Sequence, residues 1–199
     1  MKNKRNLIGN ILLITGLVLL LGAGGLFLYN MHESNEHLEE AGKLTDKVKA
    51  EMSAIASENA DETEAVLPSE LEPVVVEDGP YDGILAIPAI ELEMAVYDTW
   101  NEDYLKKSVC RYYGSPYTSD MVIAGHNYRS GFGRLKRLAV GDEVFFTDMN
   151  GVVTRYVVAQ TEVLDGTDIS GMLSGGWDLS LYTCTYGGNA RFTVRCSQE

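Results

Sequence analysis

Three patterns of hydrophobic and polar positions follow one another along the 199-residue chain. Residues 7–29 form an apolar run of 23 residues without a charge, long enough to cross a hydrocarbon core of about 30 Å as a helix. Residues 30–79 are polar and acidic. From there on, short apolar runs alternate with turn signals such as MNG and SGG, which is typical of strands. The pattern predicts a tail over 1–6, a transmembrane helix over 7–29, an acidic stalk and linker over 30–79, and a folded domain over 80–199.

The residues on either side of the apolar run indicate whether it is cleaved and how it is oriented in the membrane. No A-x-A cleavage site and no lipoprotein cysteine follow it, so an uncleaved anchor is favoured over the alternative, a cleaved signal peptide. Lys2, Lys4 and Arg5 precede the run, whereas the segment after it is acidic. By the positive-inside rule, the N-terminus is expected to be cytoplasmic and the folded domain extracellular, on a single-pass cell-membrane anchor.

The stalk carries a narrow apolar stripe. Its members recur every three or four residues, as on one face of a helix: Leu38, Ala41, Leu44, Val48, Met52 and Ile55. The stripe is short, so it indicates a solvated helix that continues out of the membrane rather than a dimerising coil. Residues 61–79 add acids and two prolines, which predicts a flexible or extended linker.

Seven strands are predicted within the folded domain. They are ILAIPAI, LEMAVY, MVIAGH, DEVFFTD, VVTRYVVAQTEVL, LSLYTC and ARFTVRC. A helix is predicted over NEDYLKKSVCRYYG (101–114), with helical turns at GRLKRL and TDISGML. Because strands dominate and do not alternate regularly with helices, the pattern favours an all-β barrel or sandwich of about seven or eight strands over a parallel α/β sheet.

The net charge of −13 is unevenly distributed. Residues 1–30 carry +3, residues 31–79 carry −11 and residues 80–199 carry −5. A nucleic-acid-binding face would need clustered lysine and arginine and a high pI. The composition therefore excludes nucleic acid as the partner.

Cysteine usage gives the first indication of reactive chemistry. The chain has Cys110, Cys184 and Cys196, an odd number that leaves at least one thiol unpaired. Strand alternation places Cys184 on one face of LSLYTC together with Tyr182. It places Cys196 on the apolar face of ARFTVRC together with Val194, which predicts a buried and inert thiol. Cys184 is therefore the candidate nucleophile.

One arginine and one histidine are candidates to serve this thiol. If LSLYTC and ARFTVRC pair as a hairpin across TYGGNA, Cys184 and Arg191 stand opposite each other. Arg195 then lies roughly 13 Å further along the strand and is expected to tolerate replacement by lysine. An arginine beside a thiol favours the thiolate and can hold a carbonyl oxygen. His126 is the only histidine within residues 80–199, at the end of MVIAGH.

In this order, VIAGHN, FGRLKRLAVGDEV and LYTCTYGGNARFTV resemble the sortases, the membrane-anchored cysteine transpeptidases of Gram-positive surfaces. The resemblance covers about residues 80–197. It implies an eight-stranded β-barrel with a few short helices. It also implies catalytic roles for His126, Cys184 and Arg191, and a substrate and oxyanion contact for Thr183. No cofactor and no metal are implied.

The resemblance further implies a reaction and its partners. Cys184 would cleave the Thr–Gly bond of an LPXTG-like sorting signal through a thioester. The acceptor would be an amine, either on a peptidoglycan precursor or on a pilin lysine. No Asp-Pro-aromatic lid motif occurs in LEPVVVEDGPYDG, so a lidded pilin-type enzyme is not favoured.

The segment TEVLDGTDISGMLSGGWDLS, just before the cysteine strand, is expected to wall the substrate groove. Its acids Glu162, Asp165 and Asp168 fit a solvated loop better than a calcium site. Trp177 fits a packed aromatic as well as it fits a groove residue.

Two alternatives stay open from the residues alone. A hydrolytic cysteine peptidase would use the same side chains, with water as the acceptor. A non-enzymatic surface domain would instead pair Cys184 with Cys110 or Cys196 in a disulfide.

The predicted topology can be tested on intact cells. Added protease is expected to release a soluble fragment of about residues 60–199, because the acidic linker is exposed and poorly packed. Immunoblotting of the released fraction would detect the fragment. Protection of the linker outside the cell, with digestion only from the cytoplasmic side, would contradict the orientation.

Overall fold

The computed structural model describes residues 2–59, 69–77 and 79–199. The chain divides into two compact units, Met1–Glu36 and His37–Glu199. The second unit contains the strands and begins well before residue 80, where the sequence predicts the folded domain to start.

The first unit is helical and apolar. Its stretch Gly9–His32 is long and apolar enough to cross a membrane, and none of that stretch is buried. The predicted anchor therefore has a matching helix. The linker predicted over 61–79 is only partly visible, since residues 61–68 and Asp78 lie outside the described residues.

The second unit is built around a β-sheet that closes on itself. Its strands are β1 (Val74–Val76), β2 (Gly79–Ile87), β3 (Leu92–Tyr97), β4 (Val109–Tyr113), β5 (Met121–Gly125), β6 (Glu143–Asp148), β7 (Val153–Asp165), β8 (Leu179–Cys184) and β9 (Ala190–Gln198). They pair in the order β1-β2-β3-β4-β5-β8-β9-β7-β6, and a further β2–β6 pairing closes β2 to β9 into an eight-stranded barrel. The β3–β4 and β5–β8 pairs are parallel, whereas the others are antiparallel. The predicted eight-stranded β-barrel is confirmed.

Strand alternation fills the barrel. Six inward residues of β5, β8 and β9 are 0 % exposed: Met121, Ile123, Leu179, Leu181, Val194 and Cys196. Burying one large aliphatic side chain stabilises a fold by about 1.5–3 kcal/mol, so this core dictates which face of each strand turns inward. The prediction that Cys196 is buried is confirmed.

The part of α1 (Lys2–Asn59) that belongs to the second unit packs against the barrel. Ala41, Leu44 and Val48 are 5, 8 and 0 % exposed. Leu44 and Val48 share a buried cluster with Tyr81 on β2 and Ala95 on β3. The expectation of a solvated stalk helix is therefore wrong here, because the apolar stripe covers the outer face of two strands.

Polar contacts fasten the same helix. The Oγ1 of Thr45 is buried and accepts a hydrogen bond of 3.1 Å from the backbone N–H of Ala95. Lys49 forms an ion pair of 2.6 Å with Glu93. An exposed pair of this kind contributes at most about 1 kcal/mol, so the apolar stripe and the buried hydrogen bond hold the helix in place.

The helix predicted over residues 101–114 is wrong beyond its first turn. The helix α2 spans only Glu102–Leu105, and Val109–Tyr113 form β4. Leu105 and Val109 are four residues apart, which imitates helical spacing, although they are buried on two different elements. The valine and tyrosines of VCRYY suit a strand once a neighbouring strand is there to pair with.

The two predicted helical turns are confirmed. GRLKRL lies in a 3-10 helix, Phe132–Arg137, directly after the loop that follows β5. TDISGML contains α3, Ile169–Leu173, in the connection between β7 and β8. Both short helices border the end of the barrel where β5 and β8 terminate.

Candidate active site

Three neighbouring strands bring the predicted catalytic residues together. β5 and β8 run parallel with Gly125 paired to Thr183, so His126, directly after β5, and Cys184, the last residue of β8, lie at the same end of the barrel. β9 runs antiparallel on the other side of β8 and pairs Arg191 with Cys184. Adjacent strands lie about 4.8 Å apart. Cys184 therefore has the histidine on one side and the arginine on the other.

The β8–β9 turn sets this register. Gly187 and Gly188 have φ values of 95° and 78°, which side chains other than glycine rarely adopt. The backbone N–H of Thr185 donates to the carbonyl oxygen of Ala190 at 2.9 Å and closes the hairpin directly after the cysteine. The hairpin and the register predicted across TYGGNA are confirmed.

The position of His126 is fixed by close packing at the preceding residue, Gly125, and by contacts of its ring with Glu102 and Tyr128. A Cβ at Gly125 would lie 2.6 Å from the ring of Phe132, so glycine is needed where the 3-10 helix crosses the strand end. The imidazole is 26 % exposed, and its Nε2 lies 3.8 Å from a carboxylate oxygen of Glu102. Its ring meets that of Tyr128 edge-on at 5.3 Å. A carboxylate is thus available to accompany the protonated imidazole.

Arg191 is oriented by the turn. Its Nη1 donates to the carbonyl oxygens of Gly188 and Ala190 at 2.9 and 3.3 Å. Hydrogen bonds from Thr167 lower the pKa of Asp165, and the nearby guanidinium of Arg191 lowers it further. The Nε and Nη2 atoms of Arg191 have no partner among the described residues, so both can donate to a substrate oxygen.

The three side chains open into one groove of about 670 Å³. This volume is within the range of about 300–1,000 Å³ that is typical of ligand sites. Ala124 and Tyr182, which share the outer face of the sheet with Cys184, form part of the floor. The walls are largely apolar or aromatic and include Trp100, Leu105, Tyr112, Ile169 and Met172. The groove therefore offers apolar and aromatic surface next to the three side chains.

Sequence reasoning missed two aromatic residues of this groove, Trp100 and Tyr112. Trp100, and not Trp177, lines it. Tyr112 was concealed in the segment assigned to a helix, and its ring meets that of Tyr182 edge-on at 5.8 Å. Tyr182 precedes Cys184 by two residues, so strand alternation was a sufficient signal for it.

Comparison with known proteins decides the family. A family model described as "Sortase domain" matches residues 85–199, which is more than half of the chain. The chain belongs to the sortase family. The motifs that resembled this family lie at the end of β5, in the 3-10 helix and the segment leading to β6, and in the β8–β9 hairpin. The sortase barrel that they implied is present.

Individual relatives agree with this assignment. Sortase D of Bacillus subtilis (strain 168) is 29 % identical over 187 residues, covering 90 % of each chain. Sortase C1 from Streptococcus agalactiae superposes with a TM-score of 0.58 at 22 % identity, over 81 % of this chain and 98 % of that one. Sortase C-3 from Streptococcus pneumoniae gives 0.56 at 19 % identity, over 84 % and 90 %. These structures share the fold of this sortase.

Thr183, the predicted substrate contact, faces away from the groove. It is 4 % exposed, and its buried Oγ1 has no hydrogen-bond partner among the described residues. It borders a smaller cavity of about 130 Å³ together with Phe132, Tyr186 and Phe192. Because Cys184 borders both cavities, a contact from the Thr183 hydroxyl would have to be made from this second side. Its role stays a prediction.

The acids of the segment before β8 are engaged by protein donors. Each accepts a hydrogen bond from within the domain: Asp165 from Thr167, Asp168 from the backbone N–H of Gly171, and Glu162 from Arg195. No group of three potential metal ligands occurs in the part of the chain that the structure describes.

Arg195 is 2 % exposed, so the expectation that it tolerates lysine does not fit its surroundings.

The three cysteines are free thiols of two kinds. Cys184 is partly exposed, whereas Cys110 and Cys196 are buried. Burial raises the pKa of both buried thiols to about 12. No disulfide joins any two of them, contrary to the stapled surface domain that the sequence left open.

Thiol counting tests this division. At pH 8 the native protein is expected to react with one equivalent of a thiol reagent, because only a thiolate is nucleophilic and the two buried thiols stay protonated. Unfolding should expose all three thiols of the chain. Cys184→Ala should remove the native reaction, whereas Cys196→Ala should keep it. A fast native thiol in Cys184→Ala would contradict the assignment.

Proposed function

We propose that this sortase is a cysteine transpeptidase that cleaves an LPXTG-like sorting signal and transfers the surface protein to a cell-wall or pilin amine. The observation that supports this most directly is the position of Cys184 between His126 and Arg191 in one groove. Acyl transfer between amines needs a nucleophile, a proton carrier and a donor for the oxyanion. These three groups lie at the neighbouring ends of adjacent strands.

In the first half of the proposed reaction, the thiolate of Cys184 attacks the carbonyl carbon of the Thr–Gly bond. The free donors of Arg191 stabilise the oxyanion that forms. As the C–N bond breaks, protonated His126 gives its proton to the glycine nitrogen, which leaves as a neutral amine. A thioester with Cys184 remains.

In the second half, an acceptor amine attacks the thioester carbon. His126 takes a proton from the attacking nitrogen as the new C–N bond forms. The tetrahedral intermediate then expels the Cys184 thiolate, and the imidazole is left protonated for the next cycle. One amide replaces another, so the exchange needs no external source of energy.

The groove supports an extended peptide as the substrate. Five extended residues span roughly 16 Å, and aromatic side chains offer flat apolar surface to leucine and proline. Trp100, Tyr112 and Tyr182 supply that surface beside the nucleophile. A peptide bound across them would bring its Thr–Gly bond to the strand ends.

The proposed setting is the outer face of a cell membrane. The helix Gly9–His32 serves as the anchor, with residues 1–6 in the cytoplasm and the barrel outside. Secreted proteins with sorting signals and amines of wall precursors or pilins meet at this surface. We keep 30–79 as the segment between anchor and barrel, with the correction that Leu44 and Val48 of this segment pack on the barrel.

Product analysis tests the proposal. The full-length protein in detergent is incubated with LPXTG-type peptides, with and without oligoglycine or a lysine-containing peptide. Mass spectrometry should show the Thr-terminated fragment joined to the added amine, and Cys184→Ala should give neither cleavage nor transfer. Cleavage with water as the only acceptor would favour the peptidase alternative, and no cleavage of any such peptide would refute the substrate class.

The guanidinium of Arg191 can be tested by replacement with lysine. An ammonium cannot bind the turn carbonyls and offer paired donors to an oxyanion at the same time. Arg191→Lys is therefore expected to lose about 2.7–4 kcal/mol of transition-state stabilisation, measured as kcat/KM on the cleaved peptide. Arg155→Lys is the matched control, because Arg155 is exposed and does not line the groove. Equal activity of the two variants would contradict the role.

A further inference from the structure

One wall of the groove is formed by an element that is too short to hold itself in place. The helix α3 comprises five residues, Ile169–Leu173, and presents Ile169 and Met172 to the groove. Helices shorter than about 12 residues are marginal in water without tertiary support. The position of this wall therefore depends on what fastens it to the barrel.

The beginning of the wall is capped locally. Asp165 accepts hydrogen bonds of 2.9 and 2.6 Å from the backbone and the side chain of Thr167. Asp168 accepts one of 2.8 Å from the backbone N–H of Gly171. These contacts hold the start of the wall to the sheet, since Asp165 ends β7 and the backbone N–H of Gly166 donates to the carbonyl oxygen of Asn189 at 2.9 Å. They do not hold the C-terminal end of α3.

The end of the wall is bound by a single side chain of β9. Arg195 donates from Nη2 to the carbonyl oxygen of Gly171 at 2.6 Å, and from Nη1 to that of Met172 at 2.9 Å. Carbonyl groups near a helix C-terminus lack partners within the helix, so a guanidinium there satisfies them. Arg195 is thus a direct hydrogen-bonded link from the C-terminal end of α3 to β9.

The guanidinium of Arg195 is also hydrogen-bonded to side chains of β7 and β8. Its Nε donates to Glu162 on β7 at 2.7 Å, and its Nη1 also donates to the Oγ of Ser180 on β8 at 2.7 Å. The Glu162 carboxylate balances a charge that is only 2 % exposed. Lysine, with one compact ammonium, cannot reach all four oxygens with this planar geometry.

We infer that Arg195 is a positioning residue that sets the distance between the α3 wall and the nucleophile strand, and thereby controls substrate binding. The inference rests on the proposed function, because it assigns the wall to the binding of the sorting signal. Ser180 and Arg195 form a cross-strand pair four residues along β8 and β9 from the pair of Cys184 and Arg191. The Ser180–Arg195 pair and the Cys184–Arg191 pair lie on the same face of the β8–β9 hairpin. Through its bonds to α3, Arg195 therefore holds the wall at a set position relative to the thiol of Cys184.

The test compares the full-length parent in detergent with Arg195→Met and with Arg155→Met. Arg155 is the matched control, because it is also ion-paired, with Glu143 and Glu199, but lines no part of the groove. Arg195→Lys is included as a milder variant in case Arg195→Met does not fold. Three quantities are measured: kcat and KM for a peptide containing Leu-Pro-Ala-Thr-Gly, the alkylation rate of Cys184 by iodoacetamide, and hydrogen exchange over residues 166–174.

Arg195→Met is expected to raise KM at least about tenfold while kcat at saturation changes less than about threefold, because the wall binds substrate and does not touch the reacting atoms. Hydrogen exchange over 166–174 should become faster. Alkylation by a small reagent, which does not need the wall, should stay within about twofold of the parent. Arg155→Met should match the parent in all three measurements, and Arg195→Lys should lie between.

An unchanged KM or unchanged exchange over 166–174 would overturn the inference. So would a loss of alkylation as large as the loss of peptide cleavage, since this would mean that the whole site had collapsed. If the parent cleaves no such peptide, the proposed function fails, and the exchange measurement alone then decides whether Arg195 fixes the wall.

Discussion

The register of β8 between β5 and β9 is the constraint on which the rest of the site depends. Side chains alternate along a strand, so a slip of one residue would exchange the two faces. It would turn Cys184 inward and Thr183 outward. The buried run of Leu179, Leu181 and Val194 prevents this, since apolar side chains would become exposed. The apolar interior of the barrel therefore decides which polar side chains meet on its outer face.

Two arginines connect strands of the sheet to the segments that follow or cover them. Arg195 links β9 to α3, as described. Arg111 on β4 donates to buried Asp82 at 2.6 Å and to the carbonyl oxygen of Gly114 at 3.3 Å, at the turn that leads to β5. Burial raises the pKa of Asp82, and the bond from Arg111 opposes that shift. Breaking such a pair leaves an uncompensated buried charge, so each arginine ties a loop to the barrel firmly.

The packed helix changes how the segment between anchor and barrel is understood. Its stripe is too short for a coiled coil, but the barrel offers a matching surface. β2 is buried along most of its length, as expected for a strand that is covered on both faces. Val48, at 0 % exposure, and Thr45, bonded to Ala95, fill that surface. The region predicted as a spacer is therefore partly a component of the folded domain.

The sequence by itself determined the local features of this protein. Alternation along LSLYTC and ARFTVRC separated Cys184 from buried Cys196, and the glycines of TYGGNA set Arg191 opposite the nucleophile, because a tight turn fixes the register of its own hairpin. Only the tertiary structure decided which distant elements meet. Four features join segments that are far apart in the chain. They are the pairing of β5 with β8, the position of Trp100 and Tyr112 in the groove, the burial of the stalk helix, and the hydrogen bonds from Arg195 to α3. Local pattern carries no information about such contacts, since they depend on which surfaces the closed barrel leaves to be covered.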